Sequence, residues 1–275
     1  MRKVDILKEW WEHNVAFLSQ LKHRAQIHGR IEDAQDVPMN VLETAPVFVL
    51  STGRAGTMLL TRVFELIDGV EVFHEPYPDL LYAGKAAYQN STNLEFAKGA
   101  FMGGRYELIR DSYIRNSRYI ETNNRITFFA HAIAELFPNA VFIHLIRKPE
   151  SFIASGLERG WYTGKSITDE GRIRPEDSSF DAWRTEDKLA WLWNETNHFC
   201  ERFRSKYQDR TYFLKSEDLF SNPKALVDLL KWLNLTIPST SELEKVIQKP
   251  VNSGGGRSKE ISYNEKLTPL ASKYY

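Results

Sequence analysis

A buried strand followed directly by a glycine-rich turn and a helix is the feature that most constrains this chain. Residues 46–51 read PVFVLS, an apolar and β-branched run typical of a buried parallel strand. Residues 52–57, TGRAGT, place two glycines around Arg54, and an apolar periodic segment that predicts a helix follows. The backbone N–H groups of such a turn and the helix N-terminus point at one spot, which predicts an anion site. Arg54 adds a permanent charge whose forked donors suit phosphate or sulfate oxygens.

This turn does not match the nucleotide-binding P-loop. That motif is G-x-x-x-x-G-K-[ST], whereas Gly53 and Gly56 are only three positions apart and no Gly-Lys-Ser/Thr follows. A kinase would also need carboxylates for Mg²⁺, and no such pattern is evident. A nucleotide-dependent small-molecule kinase stays as an alternative, as does a tight turn that binds no ligand.

Strand-like and helix-like segments alternate along the rest of the chain. Strand patterns that end in polar residues occur at 71–78, 118–124 and 140–149, with amphipathic helical patterns between them. The alternation predicts an α/β, three-layer fold with a mainly parallel central sheet, helices on both faces and a P-loop-like anion loop. Ligands of such sheets bind beyond the carboxyl ends of the strands. Four polar residues just past strand ends should share that edge: Arg54, Glu75, Asn123 and Arg147.

Three segments are less regular. Residues 79–117 predict short helices with a break at Gly103–Gly104. Residues 161–180 are rich in polar groups and predict a long loop. Loops of this length are usually functional or disordered, and we expect this one to act as a lid. Residues 210–219, RTYFLKSEDL, predict a strand that leads into a loop.

Composition excludes several classes of function. The 36 Lys and Arg residues balance the 36 Asp and Glu residues, so charge does not favour nucleic acid or an anionic membrane as a partner. No apolar run reaches about 18 residues, and no signal-peptide h-region begins the chain, so we expect a cytoplasmic protein without a membrane span. Cys200 is the one cysteine, which excludes an internal disulfide and a cysteine-based zinc cluster. We predict a single domain over residues 1–275, in which residues 1–40 form an N-terminal helix and linker packed on the main body.

The glycine-rich turn resembles the 5′-phosphosulfate loop of sulfotransferases, in which a strand is followed by Lys/Arg-Ser-Gly-Thr-Thr and a helix. Arg54 falls on the first position of that loop, and Met58 replaces its last Thr. The resemblance implies that the loop binds the 5′-phosphosulfate of the donor PAPS (3′-phosphoadenosine 5′-phosphosulfate). The residues it assigns to this role are Arg54, Ala55, Gly56, Thr57 and Met58.

A second motif resembles the family's 3′-phosphate site. There an Arg at a strand end and a Ser eight residues later hold this phosphate, and Arg147 and Ser155 have that separation. Residues 213–235 resemble the family's strand, Tyr-Glu-Asp-Leu, proline and helix. Residues 252–259 resemble its C-terminal glycine-basic loop, which closes over the 3′-phosphate. That resemblance implies further donor contacts from Gly256, Arg257, Ser258 and Lys259.

The sequence departs from the aryl and steroid branch of the family at several positions. Leu59 stands where that branch carries a Trp that stacks on adenine, and Ser216 replaces the Tyr of its Tyr-Glu-Asp pattern. The strand that ends in Lys-Thr-His in that branch reads RYIETNN at 118–124. The resemblance is therefore to the bacterial or carbohydrate-type branch, and the adenine contacts must come from other residues.

The resemblance implies in-line sulfuryl transfer, with PAP as the product and no metal. Such enzymes mostly position the reactants and neutralise charge, and Arg54 is the candidate that stabilises the leaving phosphate. Glu75 matches the Glu-Pro whose Glu is the base in carbohydrate-type and many bacterial sulfotransferases. His74 is the alternative base, because a neutral imidazole is also competent near pH 7. The alternative role for Glu75 is a carboxylate that bonds the backbone of the anion loop.

The acceptor is predicted from polar and aromatic residues near the same edge. Their mixture favours a polar small molecule or a sugar that is sulfated on a hydroxyl or an amine. A non-catalytic module that binds PAP or PAPS is the remaining alternative function. The candidate acceptor contacts are Tyr77, Glu121, Asn123, Asn124, Trp161 and Tyr162.

Overall fold

The computed structural model describes residues 37–166, 168–248 and 261–275. The strands of this part of the chain form a five-stranded parallel sheet in the order second, third, first, fourth, fifth. This confirms the parallel sheet that the alternating pattern predicts. The strands are β1 (Val47–Leu50), β2 (Val70–Phe73), β3 (Arg118–Glu121), β4 (Val141–Ile146) and β5 (Thr211–Lys215).

Helices connect the strands, as parallel pairing requires. The α-helices are α1 (Val37–Leu42), α2 (Thr57–Phe64), α3 (Leu81–Gln89), α4 (Leu94–Ile114), α5 (Ala130–Leu136), α6 (Pro149–Glu158), α7 (Thr185–Lys206), α8 (Ser216–Ser221), α9 (Pro223–Trp232), α10 (Thr240–Gln248) and α11 (Ala271–Tyr274). Short 3₁₀ helices span Asn124–Phe129, Asp169–Gly171, Phe180–Ala182, Gln208–Arg210 and Glu265–Leu267.

The alternation of side chains along β1 produces the two apolar layers. Phe48 and Leu50 pack in a core that includes residues of α4, α5 and α7. Val47 and Val49 belong to a second core with residues of α2, α9 and α10. All four side chains are fully buried, and each contributes about 1.5–3 kcal/mol by leaving water. The three-layer arrangement with helices on both faces is therefore confirmed.

Two local predictions are wrong. Helix α4 runs without a break through Gly103 and Gly104, because its apolar side chains are buried in the core. A Cβ at Gly104 would lie 2.8 Å from the Leu80 side chain, so this glycine permits a close approach rather than ending the helix. The residues after β5 form helix α8 instead of a loop.

Several predictions concern residues outside the described part of the chain. The glycine-basic loop with Gly256, Arg257, Ser258 and Lys259 lies there, as do residues 1–36 of the predicted N-terminal helix and linker. These predictions, the single domain over residues 1–275 and the cytoplasmic location stay predictions. Among the described helices, none has the length and apolar character needed to cross a membrane. Cys200 is buried, and burial raises the pKa of its thiol.

Candidate functional site

The turn between β1 and α2 has an unusual backbone. Gly53, Arg54 and Gly56 all have positive φ values, of 77°, 54° and 101°. For a residue with a side chain, this left-handed conformation costs about 1–3 kcal/mol and persists mainly at functional sites. Gly56 is the N-cap of α2, and no side chain caps the helix. Its first N–H groups are therefore available to an anion.

Two serine hydroxyls hold this turn in place. The Gly53 N–H donates to the Ser51 hydroxyl over 3.1 Å. From the other side, the Ser216 hydroxyl donates to the Ala55 carbonyl and lies 3.0 Å from the Ile146 carbonyl oxygen. Ser216 is fully buried. The residue that replaces the family's Tyr thus ties the anion loop to the end of β4.

The two predicted phosphate sites meet at Arg54. Its Nε donates to the Ser155 hydroxyl over 2.8 Å, and Arg147 Nη1 donates to the Arg54 carbonyl over 2.8 Å. Partial burial lowers the pKa of the Arg54 guanidinium, and positive charge on Arg159 and Arg147 lowers it further, while Glu75 opposes the shift. The turn thus lies in concentrated positive charge that an anion would relieve.

Arg147 is held from both its backbone and its side chain. The Trp193 indole N–H donates to the Arg147 carbonyl over 2.7 Å. Burial lowers the pKa of the Arg147 guanidinium, and the negative charge of Glu217 opposes that shift. Glu217 is itself engaged, because it accepts hydrogen bonds from the Lys148 N–H and the Tyr275 hydroxyl. The end of β4 therefore presents a fixed, partly desolvated guanidinium.

Glu75 lies at the same edge, just past the end of β2. Its backbone is left-handed, with φ of 47°. Arg125 Nη2 lies 3.5 Å from Glu75 Oε2, and Arg125 Nη1 lies 3.1 Å from Asp79 Oδ2. The carboxylate is 37% exposed, which leaves it accessible to a bound molecule. The partner of this carboxylate is thus the guanidinium of Arg125 and not a backbone group of the anion loop.

His74 is held by β3. Its Nδ1 lies 2.9 Å from the Thr122 carbonyl oxygen and 3.1 Å from the Thr122 hydroxyl. Since a carbonyl oxygen only accepts, Nδ1 is the donor in this hydrogen bond, which leaves Nε2 for another partner. The Thr122 hydroxyl lies 2.6 Å from that of Thr61 on α2. The alternative assignment of His74 as the base stays a prediction.

The family model of the sulfotransferase family matches residues 46–239, which is most of the chain. The chain belongs to the sulfotransferase family. The match covers β1 to α9 and includes every candidate donor residue of the anion loop, β4 and α6. The family that the two phosphate motifs indicate is therefore confirmed.

Solved sulfotransferase structures are similar to this chain at low identity. The sulfotransferase domain from the curacin biosynthetic pathway is 16% identical, with a TM-score of 0.49, and the match covers 84% of this chain and 86% of that one. Sulfotransferase STF1 from Mycobacterium tuberculosis H37Rv is 14% identical, with a TM-score of 0.48 and coverages of 81% and 75%. The sulfotransferase domain from the Synechococcus PCC 7002 olefin synthase is 16% identical, with a TM-score of 0.47 and coverages of 84% and 88%. No curated protein matches the sequence.

Two of the predicted acceptor contacts are enclosed by protein groups. Glu121 is fully buried, and Arg105 Nε lies 2.9 Å from both of its oxygens. The Tyr119 hydroxyl and Asn123 Nδ2 also donate to it, over 2.8 and 2.9 Å. Asn123 is equally buried. Both side chains are therefore enclosed by neighbouring protein groups, and their assignment as acceptor contacts stays a prediction.

The aromatic pair at 161–162 is also part of the core. The Tyr162 hydroxyl donates to the Ile173 carbonyl over 2.6 Å, and Trp161 lies beneath the Arg172 guanidinium at 3.7 Å. Both aromatic residues are buried, so neither ring presents an open surface. Trp161 and Tyr162 are buried, rather than open to an acceptor, because their segment packs against α6 and α7.

Tyr77 and Asn124 occupy more accessible positions. The Tyr77 side chain is exposed and lies two residues after Glu75. Asn124 is half-buried, and its side chain would be 3.0 Å from a Cβ at Gly53. Of the six predicted acceptor contacts, these two are placed where a molecule beside Glu75 and the anion loop could reach them.

Sequence reasoning missed three residues at the site. Arg159 contributes positive charge at Arg54, and Arg125 pairs with Glu75. Phe220 is 40% exposed, and its ring edge would lie 3.1 Å from a Cβ at Gly56. Helical spacing could have found two of them, because Arg159 lies four residues after Ser155, and Phe220 lies four after Ser216.

Proposed function

We propose that this sulfotransferase transfers a sulfuryl group from PAPS to a hydroxyl or an amine of a polar small molecule or sugar. The observation that carries the proposal is the hydrogen-bonded convergence of Arg54, Arg147 and Ser155. Two motifs about 100 residues apart in sequence thus supply donors at one edge of the sheet. The bacterial or carbohydrate-type branch belongs to the proposal.

The donor fits the residues at this edge by charge and by space. The left-handed glycines leave the anion loop without side chains at Gly53 and Gly56, where a Cβ would meet neighbouring atoms. Arg54 and the first N–H groups of α2 face the charge that grows on the leaving phosphate oxygen. Arg147 and Ser155 bind the 3′-phosphate, together with residues 256–259 of the predicted loop.

Glu75 is the base in this proposal. Its carboxylate accepts the proton of the acceptor as the oxygen or nitrogen attacks sulfur in line, and PAP leaves. Arg125 holds the carboxylate from one side. The proposed mechanism uses arginines rather than a metal for charge neutralisation. Among the described residues, no group of three or more His, Cys, Asp or Glu side chains is placed to hold a metal ion.

Calorimetric titration with PAP tests the donor assignment, with ATP and Mg²⁺ as the comparison. We expect PAP to bind and ATP with Mg²⁺ to give no response. Transfer is then tested with PAPS against a panel of sugars and polar metabolites, detected as sulfated product by mass spectrometry. Binding of ATP with Mg²⁺ but not PAP would favour the kinase. PAP binding without transfer to any acceptor would favour the non-catalytic module.

Arg147 should discriminate nucleotides by their 3′-phosphate. Arg147→Ala is expected to weaken PAP binding by about 10- to 150-fold, because a hydrogen bond to a charged group contributes about 1.5–3 kcal/mol. The affinity for adenosine 5′-monophosphate, which lacks that phosphate, should change little. Arg118→Ala is the matched control, since Arg118 also bonds backbone carbonyls, but at the start of β3. Equal losses for both nucleotides would contradict the assignment.

Phe220 is the proposed adenine contact, since Ser216 is sealed beneath the loop. Phe220→Ala should weaken PAP binding by about 5- to 150-fold, because stacking of a base on an aromatic ring contributes about 1–3 kcal/mol. Phe96→Ala is the control, because Phe96 is 41% exposed at the start of α4. An unchanged PAP affinity in Phe220→Ala would place adenine elsewhere.

A further inference from the structure

A buried ion pair joins helix α4 to the end of β3. Arg105 and Glu121 are both fully buried, and Arg105 Nε lies 2.9 Å from each carboxylate oxygen of Glu121. Taking two charges out of water costs several kcal/mol per ion, and an apolar pair of similar volume is often at least as stable. Stability alone therefore does not explain this pair.

The remaining donors of Arg105 reach the segment that carries Glu75. Arg105 Nη1 donates to the Pro78 carbonyl over 2.7 Å, and Nη2 donates to the Pro76 carbonyl over 3.3 Å. Nη1 also donates to the Gly104 carbonyl over 2.9 Å. Pro76 follows Glu75 directly, and Pro78 lies three residues after it. One rigid guanidinium thus fixes this turn relative to β3.

A second arm of the same network reaches the Glu75 carboxylate. Asn123 Nδ2 donates to Glu121, and Asn123 Oδ1 accepts from the Arg125 N–H over 3.0 Å. Arg125 in turn pairs with Glu75 through its guanidinium. The buried pair therefore reaches the Glu75 segment in two ways. Arg105 bonds the backbone carbonyls of Pro76 and Pro78 directly, and Glu121 is linked to the Glu75 carboxylate through Asn123 and Arg125.

We propose that Arg105 and Glu121 are positioning residues that set the location of the Glu75 carboxylate relative to the anion loop. This inference rests on the proposed role of Glu75 as the base. The planar fork of an arginine can hold a carboxylate and two carbonyls at once, which the ammonium group of a lysine cannot do from one position. A displacement of about 1 Å at a reacting group can lower the rate about 100-fold.

Arg105→Lys tests the proposal, because it keeps the charge and loses the fork. We expect kcat to fall by about 10- to 100-fold, while the KM for PAPS and the affinity for PAP stay within about twofold of wild type. Arg115→Lys is the matched control. Arg115 pairs with Glu71, so it too is an arginine that links α4 to the sheet through a carboxylate, but it does so at β2. Its kcat should stay within about twofold of wild type.

Amide hydrogen exchange provides a readout that does not need activity. Residues 74–80 should exchange faster in Arg105→Lys than in Arg115→Lys, whereas β4 should be protected equally in both. If Arg105→Lys folds poorly, the double variant Arg105→Met/Glu121→Met is compared with wild type in the same way, since it buries no lone charge. Unchanged kcat with unchanged exchange at 74–80 would overturn the proposal. If the wild-type protein transfers no sulfuryl group but residues 74–80 still exchange faster in Arg105→Lys, the positioning contacts are supported and only the proposed function is rejected.

Discussion

Replacing Glu75 with glutamine is expected to lower kcat by about 10²- to 10⁴-fold, the usual contribution of a general base. Glutamine keeps the shape of the side chain and its place beside Arg125, but it cannot take a proton. The binding of PAP should be unchanged, because Glu75 is assigned to the acceptor. Initial rates at saturating PAPS measure the loss, and calorimetry with PAP measures the retained affinity.

Asp79→Asn is the matched control for this variant. Asp79 pairs with the same arginine, at 3.1 Å, so the substitution also removes one carboxylate from Arg125. Its kcat is expected to stay within about threefold of wild type, because no proton passes through it. Full turnover in Glu75→Gln combined with loss of turnover in His74→Asn would transfer the role of base to His74.

Replacing Arg54 with asparagine is expected to lower kcat/KM for PAPS by about 10²- to 10³-fold, as the loss of one preorganised charge or donor does elsewhere. Asparagine is chosen because it tolerates the left-handed backbone of this position. The substitution therefore removes the guanidinium without adding backbone strain. Steady-state kinetics with PAPS and an acceptor identified from the panel measure the effect.

Arg159→Gln distinguishes a direct role of Arg54 from the effect of positive charge near the anion loop. Arg159 contributes positive charge at Arg54, but the contact to Ser155 belongs to Arg54. Arg159→Gln should reduce kcat/KM by less than about tenfold. This reduction should be smaller at high salt, because screening weakens electrostatic interactions at a distance. Equal effects of the two variants would contradict a direct role for Arg54 in stabilising the leaving group.

The sequence predicted those parts of the fold and site that depend on local pattern and simple topology. An apolar run, two glycines and a periodic segment are enough to specify β1, the anion loop and α2, because each is set by residues adjacent in sequence. Parallel strands then place their carboxyl ends at one edge. For that reason Arg54 and Arg147, which are far apart in sequence, could be expected to meet, and they do.

Tertiary packing decided the roles that depend on burial and on long-range partners. Glu121 resembles a pocket residue in the sequence, but it is sealed by Arg105 from α4, a contact that no local pattern encodes. The same holds for Trp161 and Tyr162, which pack into the core beside α6 and α7. A glycine pair that locally favours a helix break lies inside α4 because burial of the helix outweighs its propensity cost of about 1 kcal/mol per glycine.

The sequence by itself therefore determined the family and the parallel sheet, and it predicted which polar residues follow the strands. Only the tertiary structure separated enclosed carboxylates from accessible ones, and only it connected Glu75 to Arg125 and to the buried pair beneath it. The physical reason is that strand, turn and helix patterns arise from neighbours in the chain. The exposure and hydrogen-bond partners of a charged side chain depend instead on segments that folding brings together.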